Sequence, residues 1–435
     1  MTSIAPTAAA TATSTAAGQT LAQKLIAHAC GRERVAVGEI VTCKVDMAMF
    51  HDSSGPRRLQ PMLEELGAQI WDKSRVVLVM DHYVPERDDD ARRIVRIARD
   101  WAREQDLPHV YDSMGICHVV VPQHGHIRPG MLCVGGDSHS PTGGAFGAYM
   151  FGVGSTEMLG VVVMGEIWLR VPETIRMWWD HTLPRGVTAK DMMLHMLGRF
   201  GMNGGRYQAV EFAGPAVAAL SMQERMTLSN MSAELGAQAG LIAPDATTTA
   251  FLADAGAPPV DPTPWFTDAD AELTQHRFDA ATLEPHVAAP HSPANSLGVS
   301  HYADTPIDVA YIGACTGAKL EDLRAAAEVL RGHKVATGVR LIVAPASLRD
   351  QELARDEGVL QALMDAGAEL FPTACGACAG YGDPMGDDIT VMSTTARNFK
   401  GRMGSPSARV YLGSPYTVAA AALRGRVTDP REVLA

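Results

Sequence analysis

Residues 307–370 read IDVAYIGACTGAKLEDLRAAAEVLRGHKVATGVRLIVAPASLRDQELARDEGVLQALMDAGAEL. The apolar run 307–315 predicts a buried strand, and LEDLRAAAEVLRG (320–332) predicts an amphipathic helix. VRLIVAPA (339–346) predicts a second strand and RDEGVLQALMDAGAEL (355–370) a second helix. Strand, helix, strand, helix is the order of a parallel α/β unit. The first strand runs straight into Cys315, and FPTACGACAG (371–380) places Cys375 and Cys378 just after the second helix. In such sheets ligands bind beyond the carboxyl ends of strands.

The same alternation extends toward the N-terminus. Residues 19–31 predict an amphipathic helix, 35–50 a β-rich stretch, 57–67 a helix, and RVVLVMDH (75–82) a buried strand. A charged helix over 88–105 follows, then strands in CHVVVPQ (117–123) and MLCVGGD (131–137). SPTGGAFGAYMFGVGST (140–156) reads as a Gly-rich loop before an apolar helix near 156–166. Further helices are predicted over 190–201 and 221–240, the second with Asn230 and Glu234 four apart on one face. Residues 255–305, rich in Pro, Ala, His and Asp, read as an irregular connection at a domain boundary. The reading is an α/β protein of three doubly wound domains, over 19–170, 171–300 and 301–435, behind a disordered tail at 1–18.

A chain of 435 residues, 46% of them hydrophobic, is long enough for such a set of cores. Its formal charge of −12 argues against a general role on nucleic acid or a membrane surface. No apolar stretch is long enough to span a bilayer. The start of the chain, a run of Ala, Thr and Ser, has neither the basic start nor the apolar core of a leader. With seven cysteines, an odd number, a reducing cytoplasmic location is expected.

Three thiols, one far upstream of a C-x-x-C pair, suit an iron–sulfur cluster with one iron not bound by cysteine. The spacing alone also admits a redox dithiol or half of a zinc site. Around them lie His51-Asp52, Asp81-His82, His118 and Asp137-Ser138-His139. A histidine beside a carboxylate gains basicity and a fixed tautomer, as proton transfer requires, although any one of them alone reads equally as a capped loop histidine. The glycines at 143–154 lack the lysine of a phosphate cradle and instead allow close passage of the backbone to a cofactor or another domain. Arg397 and Arg402, in STTARNFKGRMGS, suit a clamp on a carboxylate or a solvated basic turn. Glu234, on an otherwise small and apolar segment, needs a partner such as a histidine if buried.

Taken together, GDSHSPTGGAFGAYMFGVGSTE, GVTAKDMMLHMLGRFGMNGG, the stretch EFAGPAVAALSMQERMTLSNMSAELGAQAGLIAPD, YIGACTGAKLEDLRAAA, CGAC and RNFKGR resemble the aconitase family, over almost all of residues 20–435. The resemblance implies a hydro-lyase that dehydrates and rehydrates a 2-hydroxy di- or tricarboxylic acid, in the manner of the isopropylmalate isomerases. It implies a [4Fe-4S] cluster on Cys315, Cys375 and Cys378. It implies catalytic or supporting roles for Asp81, His82, His118, Asp137, His139 and Glu234, with His118 near Glu234. Ser138, Asn230, Arg397 and Arg402, and His51 by position, are implied to contact substrate. The family's carbon-proton base is a serine in a Gly-Ser-Ser-Arg type loop of a swivelling domain. That loop does not occur in this sequence, so a separate small subunit is expected to supply it. A non-catalytic iron sensor on the same fold, or a degenerate homologue, is the alternative; the acidic charge and the retained His–Asp pairs and arginines favour chemistry.

Three positions depart from the family's pattern. Gly317 stands where Asn usually follows the first ligand's C-T, Ala396 where Asn usually precedes the site Arg, and Thr142-Gly143 where isopropylmalate isomerases usually carry His. Loss of side-chain amides near a cluster removes hydrogen bonds that tune it or orient substrate. The substrate is therefore expected to be a related substituted malate.

Overall fold

The computed structural model describes residues 17–381 and 384–434. Its first part holds α1 (Leu21–Ala29), β1 (Ile40–Lys44), β2 (Met47–His51), α2 (Pro56–Leu66), β3 (Val76–Met80), α3 (Asp89–Glu104), β4 (His109–Asp112), α4 (Cys117–Gln123), β5 (Leu132–Gly135), β6 (Tyr149–Gly152), α5 (Ser155–Met164) and β7 (Glu166–Arg170). Five of these strands form an all-parallel sheet in the order β4-β3-β2-β5-β6. The strand VVLVM is buried at every position, as expected of a parallel strand covered on both faces. α3 shows how the covering is encoded. The Asp88 side chain accepts from the Ala91 amide at its start, Asp89 and Asp90 follow in the first turn, and Arg103 lies in the last. Its Ile94, Val95, Ala98, Trp101 and Ala102 make the buried stripe.

The second part holds β8 (Thr174–Asp180), α6 (Ala189–Phe200), β9 (Ala209–Ala213), α7 (Pro215–Ala219), α8 (Met222–Met231), β10 (Ala239–Leu241), α9 (Ala246–Asp254) and β11 (Thr274–Asp279). Its four strands are parallel, in the order β10-β9-β8-β11. The third part holds β12 (His286–Ala288), β13 (Ser296–Gly298), β14 (Val309–Ile312), α10 (Leu320–Leu330), β15 (Arg340–Val343), α11 (Leu348–Asp356), α12 (Val359–Ala366), β16 (Ala368–Leu370), β17 (Thr390–Ser393), β18 (Arg409–Leu412) and α13 (Pro415–Arg424). Here the order is β13-β12-β18-β17-β14-β15-β16, parallel except that β12 pairs antiparallel with both of its neighbours, β13 and β18. One hydrophobic core runs from Met49, Val77 and Cys133 of the first sheet to Ile312 and Val343 of the third.

Several expectations need correction. CHVVVPQ is not a strand but α4, buried at all seven positions. Its β-branched run favours a strand locally, but the helix lies between the first and third sheets, with the Ile116 amide on the Ala346 carbonyl at 2.8 Å. The helix expected over 221–240 ends at Met231, and the chain then turns through Gly236 at φ +78° into β10. The helix expected over 355–370 is broken at Gly358, φ +69°, between α11 and α12, and its end is β16. The 140–156 loop contains β6, and the stretch 255–305 contains β11, β12 and β13. Of the tail expected at 1–18, residues 1–16 lie outside the described residues, while Gly18 bridges to Ala271.

Candidate active site

His51 ends β2, Asp81 and His82 follow β3, and Asp137, Ser138 and His139 follow β5. β2 and β5 are the neighbours at which the strand order of the first sheet reverses, the place where an open α/β sheet leaves a crevice. His82 Nδ1 lies 2.6 Å from Asp81 Oδ1, and the other oxygen of Asp81 accepts from the Cys117 amide at 2.7 Å. Burial opposes the charge on both side chains. Their mutual attraction outweighs it, holding the imidazole well above and the carboxyl below their ordinary ranges. The buried Asp52 braces this loop, accepting from the amides of His82 and Tyr83. His51 stacks on His82 at 3.9 Å between ring centroids.

His118, in the first turn of α4, sets Nε2 2.7 Å from Asp137 Oδ1. Burial lowers its pKa despite that carboxylate, so this ring sits on the neutral side. Glu234 hydrogen-bonds His139, Nε2 to Oε1 at 2.9 Å, and the His118 ring packs edge-on against His139 at 5.9 Å between centroids. Arg397 Nε donates to the same oxygen at 2.5 Å, and its terminal nitrogen donates to Ser138 Oγ at 2.9 Å. The buried Glu234 thus has the histidine partner its sequence context demands, and a guanidinium besides, which hold it ionised against burial.

The third sheet contributes the sulfurs. Cys315 follows β14, where Ala314 turns the chain at φ +70°, and Cys375 and Cys378 lie in a 3-10 turn after β16. The Cys375 and Cys378 thiols interact with each other, Cys378 acts electrostatically on Cys315, and Cys315 acts on Cys375. The Cys375 thiol, followed by the guanidiniums of Arg402 and Arg397, brings Cys378 down to about 6 against burial. The Asn230 amide, in the last turn of α8, donates to Cys315 Sγ at 3.2 Å and to Thr142 Oγ1 at 2.8 Å. Converging thiols, one of them readily ionised, fit an iron–sulfur cluster. Buried atoms of these site residues, His51 Nε2, Asn230 Oδ1, Glu234 Oε2 and Arg402 Nε, have no hydrogen-bond partner among the described residues. Such atoms fit a site built to receive polar groups.

All fourteen residues singled out in the sequence lie on this crevice or brace it. Others there escaped that reading. Tyr381 and Ser54 line the crevice with Arg58, Arg397 and Arg402. The only cue was their proximity in sequence to His51 and Cys378. The departures are now physical: a Cβ at Gly317 would sit 2.2 Å from Thr394 Cβ, and Ala396 is buried in the core. Gly144 meets the second sheet, where a Cβ would lie 1.8 Å from the Gly240 carbonyl oxygen, so that glycine serves close packing.

The model of the aconitase family (aconitate hydratase) matches residues 23–425. The chain is 43% identical over 425 residues to the 3-isopropylmalate dehydratase large subunit 1 of Methanopyrus kandleri, covering 96% of this chain and all of that one. It is 41% identical to the 3-isopropylmalate dehydratase large subunit 1 of Archaeoglobus fulgidus, covering 95% of this chain and 99% of the relative. It is 39% identical to the 3-isopropylmalate dehydratase large subunit of Desulfatibacillum aliphaticivorans, covering 96% and 100%.

Proposed function

The chain belongs to the aconitase family, and from that premise we propose that it is the large subunit of an iron–sulfur hydro-lyase. The reaction removes water from a 2-hydroxy dicarboxylate such as 3-isopropylmalate, or a closely related substituted malate, and returns it to the neighbouring carbon. The observation that carries this reading is convergence. Loops after β3, β5, β14, β16 and β17 bring two imidazole–carboxylate pairs, three thiols and two arginines to one crevice.

The residues for the cofactor are Cys315, Cys375 and Cys378, holding a [4Fe-4S] cluster. Its iron free of cysteine supplies Lewis acidity toward the substrate's hydroxyl and carboxylate. His82 commits its Nδ1 proton to Asp81 Oδ1, so the Nε2 proton is the one it delivers to the departing oxygen. His118, on Asp137, is the second imidazole within reach of the reacting oxygens. Arg397 is braced by Glu234 and Ser138, which fixes its plane. Arg402, whose Nε has no partner among the described residues, offers its fork to a substrate carboxylate. Orientation of both carboxylates brings the leaving hydroxyl to His82 rather than to water.

The base that takes the carbon-bound proton comes from a separate small subunit with a swivel domain. The large-subunit names of the relatives support that partner. Among the described residues no helix is long and apolar enough to cross a membrane. A cytoplasmic location and a small-molecule carboxylate substrate, with no nucleic acid, complete the reading. The test is anaerobic loading with iron and sulfide, then hydration assays on a panel of substituted maleates, with and without the co-encoded small subunit. The expected result is a cluster spectrum from the chain alone and turnover only with the partner. Full turnover by the chain alone overturns the partner, and failure to take up a cluster overturns the hydro-lyase. Ranking the panel names the substrate; a clear preference for 3-isopropylmalate overturns the expectation of a variant malate.

A further inference from the structure

Behind the cysteine loop lie two lysines with almost no exposure, Lys190 and Lys319. They differ in one respect. Lys319 Nζ has a carboxylate of its own, Asp322 Oδ2 at 2.7 Å, besides the Cys315 carbonyl and Thr227 Oγ1 at 3.0 Å each. Lys190 Nζ donates to three neutral oxygens: the Thr394 carbonyl, the Thr395 carbonyl at 2.8 Å and Thr316 Oγ1 at 3.3 Å. No ion pair joins Lys190 to a carboxylate among the described residues.

A buried ammonium with no carboxylate in hydrogen-bond reach is strongly disfavoured, as is the partner left behind when a buried ion pair is broken. The position adds to that cost. Lys190 is the second residue of α6, whose N-terminal end is the positive end of the helix dipole. Its attachments show what the charge serves. Thr316 follows Cys315, and Thr394 and Thr395 precede Arg397. Thr316 Oγ1 itself donates to the Thr394 carbonyl at 2.9 Å, and Gly317 is pressed against Thr394 with no room for a side chain. One ammonium from the second sheet's domain therefore ties the thiol loop after β14 to the arginine loop after β17.

We propose that Lys190 is a positioning residue and the buried counter-charge of the iron–sulfur cluster, an assignment that rests on the functional reading above. A cluster core held by three thiolates carries net negative charge, and the nearby carboxylate Asp322 is already matched by Lys319. Burial pulls Lys190 down to about 8; the Asp322 carboxylate is the largest attraction holding its charge in place, and the Cys315 and Cys378 sulfurs add to it.

The test is Lys190→Gln, which keeps a donor toward Thr394 and Thr395 and removes the charge, with Lys190→Met as a second variant. Three quantities are measured on each chain: the rate of cluster loss to a chelator, the reduction potential of the cluster, and thermal stability with and without cluster. With Lys190→Gln, cluster loss is expected to be about tenfold faster, the scale of lost outer-shell support. The potential should move more negative, because a nearby positive charge favours the reduced form. The stability deficit should be larger in the loaded chain than in the empty one. A variant whose chelation rate and potential match wild type, with equal stability changes loaded and empty, overturns the assignment and leaves the hydro-lyase intact. A wild-type chain that takes up no cluster overturns the functional reading itself.

Discussion

The first and third sheets share one winding and do different chemistry. Order β4-β3-β2-β5-β6 in the first repeats as β16-β15-β14-β17-β18 in the third, with two added antiparallel strands. In each, most site residues follow the strands at and beside the reversal, while the Cys375 and Cys378 pair follows the edge strand β16. The first supplies His51, Asp81, His82 and Asp137, and the third supplies the three cysteines and both arginines. Backbone topology sets where side chains gather, and residue type sets what they do there. Proton-handling groups need carboxylates within hydrogen-bond distance, as in His82–Asp81 and His118–Asp137. Soft sulfur ligands need cations and amides around them, as Arg402, Arg397 and Asn230 surround Cys378 and Cys315. The second sheet, wound alike, contributes no strand-end ligand; it lends the end of α8 and the start of α6.

If the two halves are separable in this way, their variants should fail differently. His82→Asn should lower kcat by about 10²- to 10⁴-fold with iron and sulfide content unchanged, whereas Cys315→Ser should lose the cluster itself. Parallel loss of cluster in His82→Asn would break the division. Arg402→Lys sharpens it, since a point charge replaces a fork. We expect kcat/KM for the dicarboxylate to fall about ten- to a hundredfold, mostly through KM, with an unaltered cluster spectrum. A kcat effect alone would place Arg402 outside substrate binding.

The smallest effect lies in the packing behind the thiol half. Burial, with Glu321 and Asp322 adding, pushes the Glu224 carboxyl up to about 7 from an ordinary 4.5. The unfolded chain therefore releases this proton first as pH rises. Stability is full below pH about 4.5 and declines through about 7, by about 2 kcal/mol after allowance for partial exposure. Glu224→Gln should flatten that slope in denaturant titrations between pH 5 and 8, and an unchanged slope would show that Glu224 is solvated.

Much of this was legible in one dimension because it is local. The strands VVLVM and IDVAYI announce themselves by apolar runs, and Asp81-His82 and Asp137-Ser138-His139 by position just past strand ends. What escaped depends on neighbours far along the chain. CHVVVPQ has the β-branched residues of a strand, yet it is a helix because it is packed on all sides between two sheets. Glu234 reads as a helix-face partner of Asn230, yet it lies past the helix end and meets His139 and Arg397.

The order of residues alone determined that this is a parallel α/β protein with three thiols, paired imidazoles and two guanidiniums at strand-end loops. Periodicity and strand-end chemistry are properties of short segments. Only the tertiary structure decided which carboxylate serves which histidine, and that Lys190 is buried behind the thiols. Those outcomes are fixed by desolvation and by contacts between residues 95 and 205 positions apart, which no local pattern encodes.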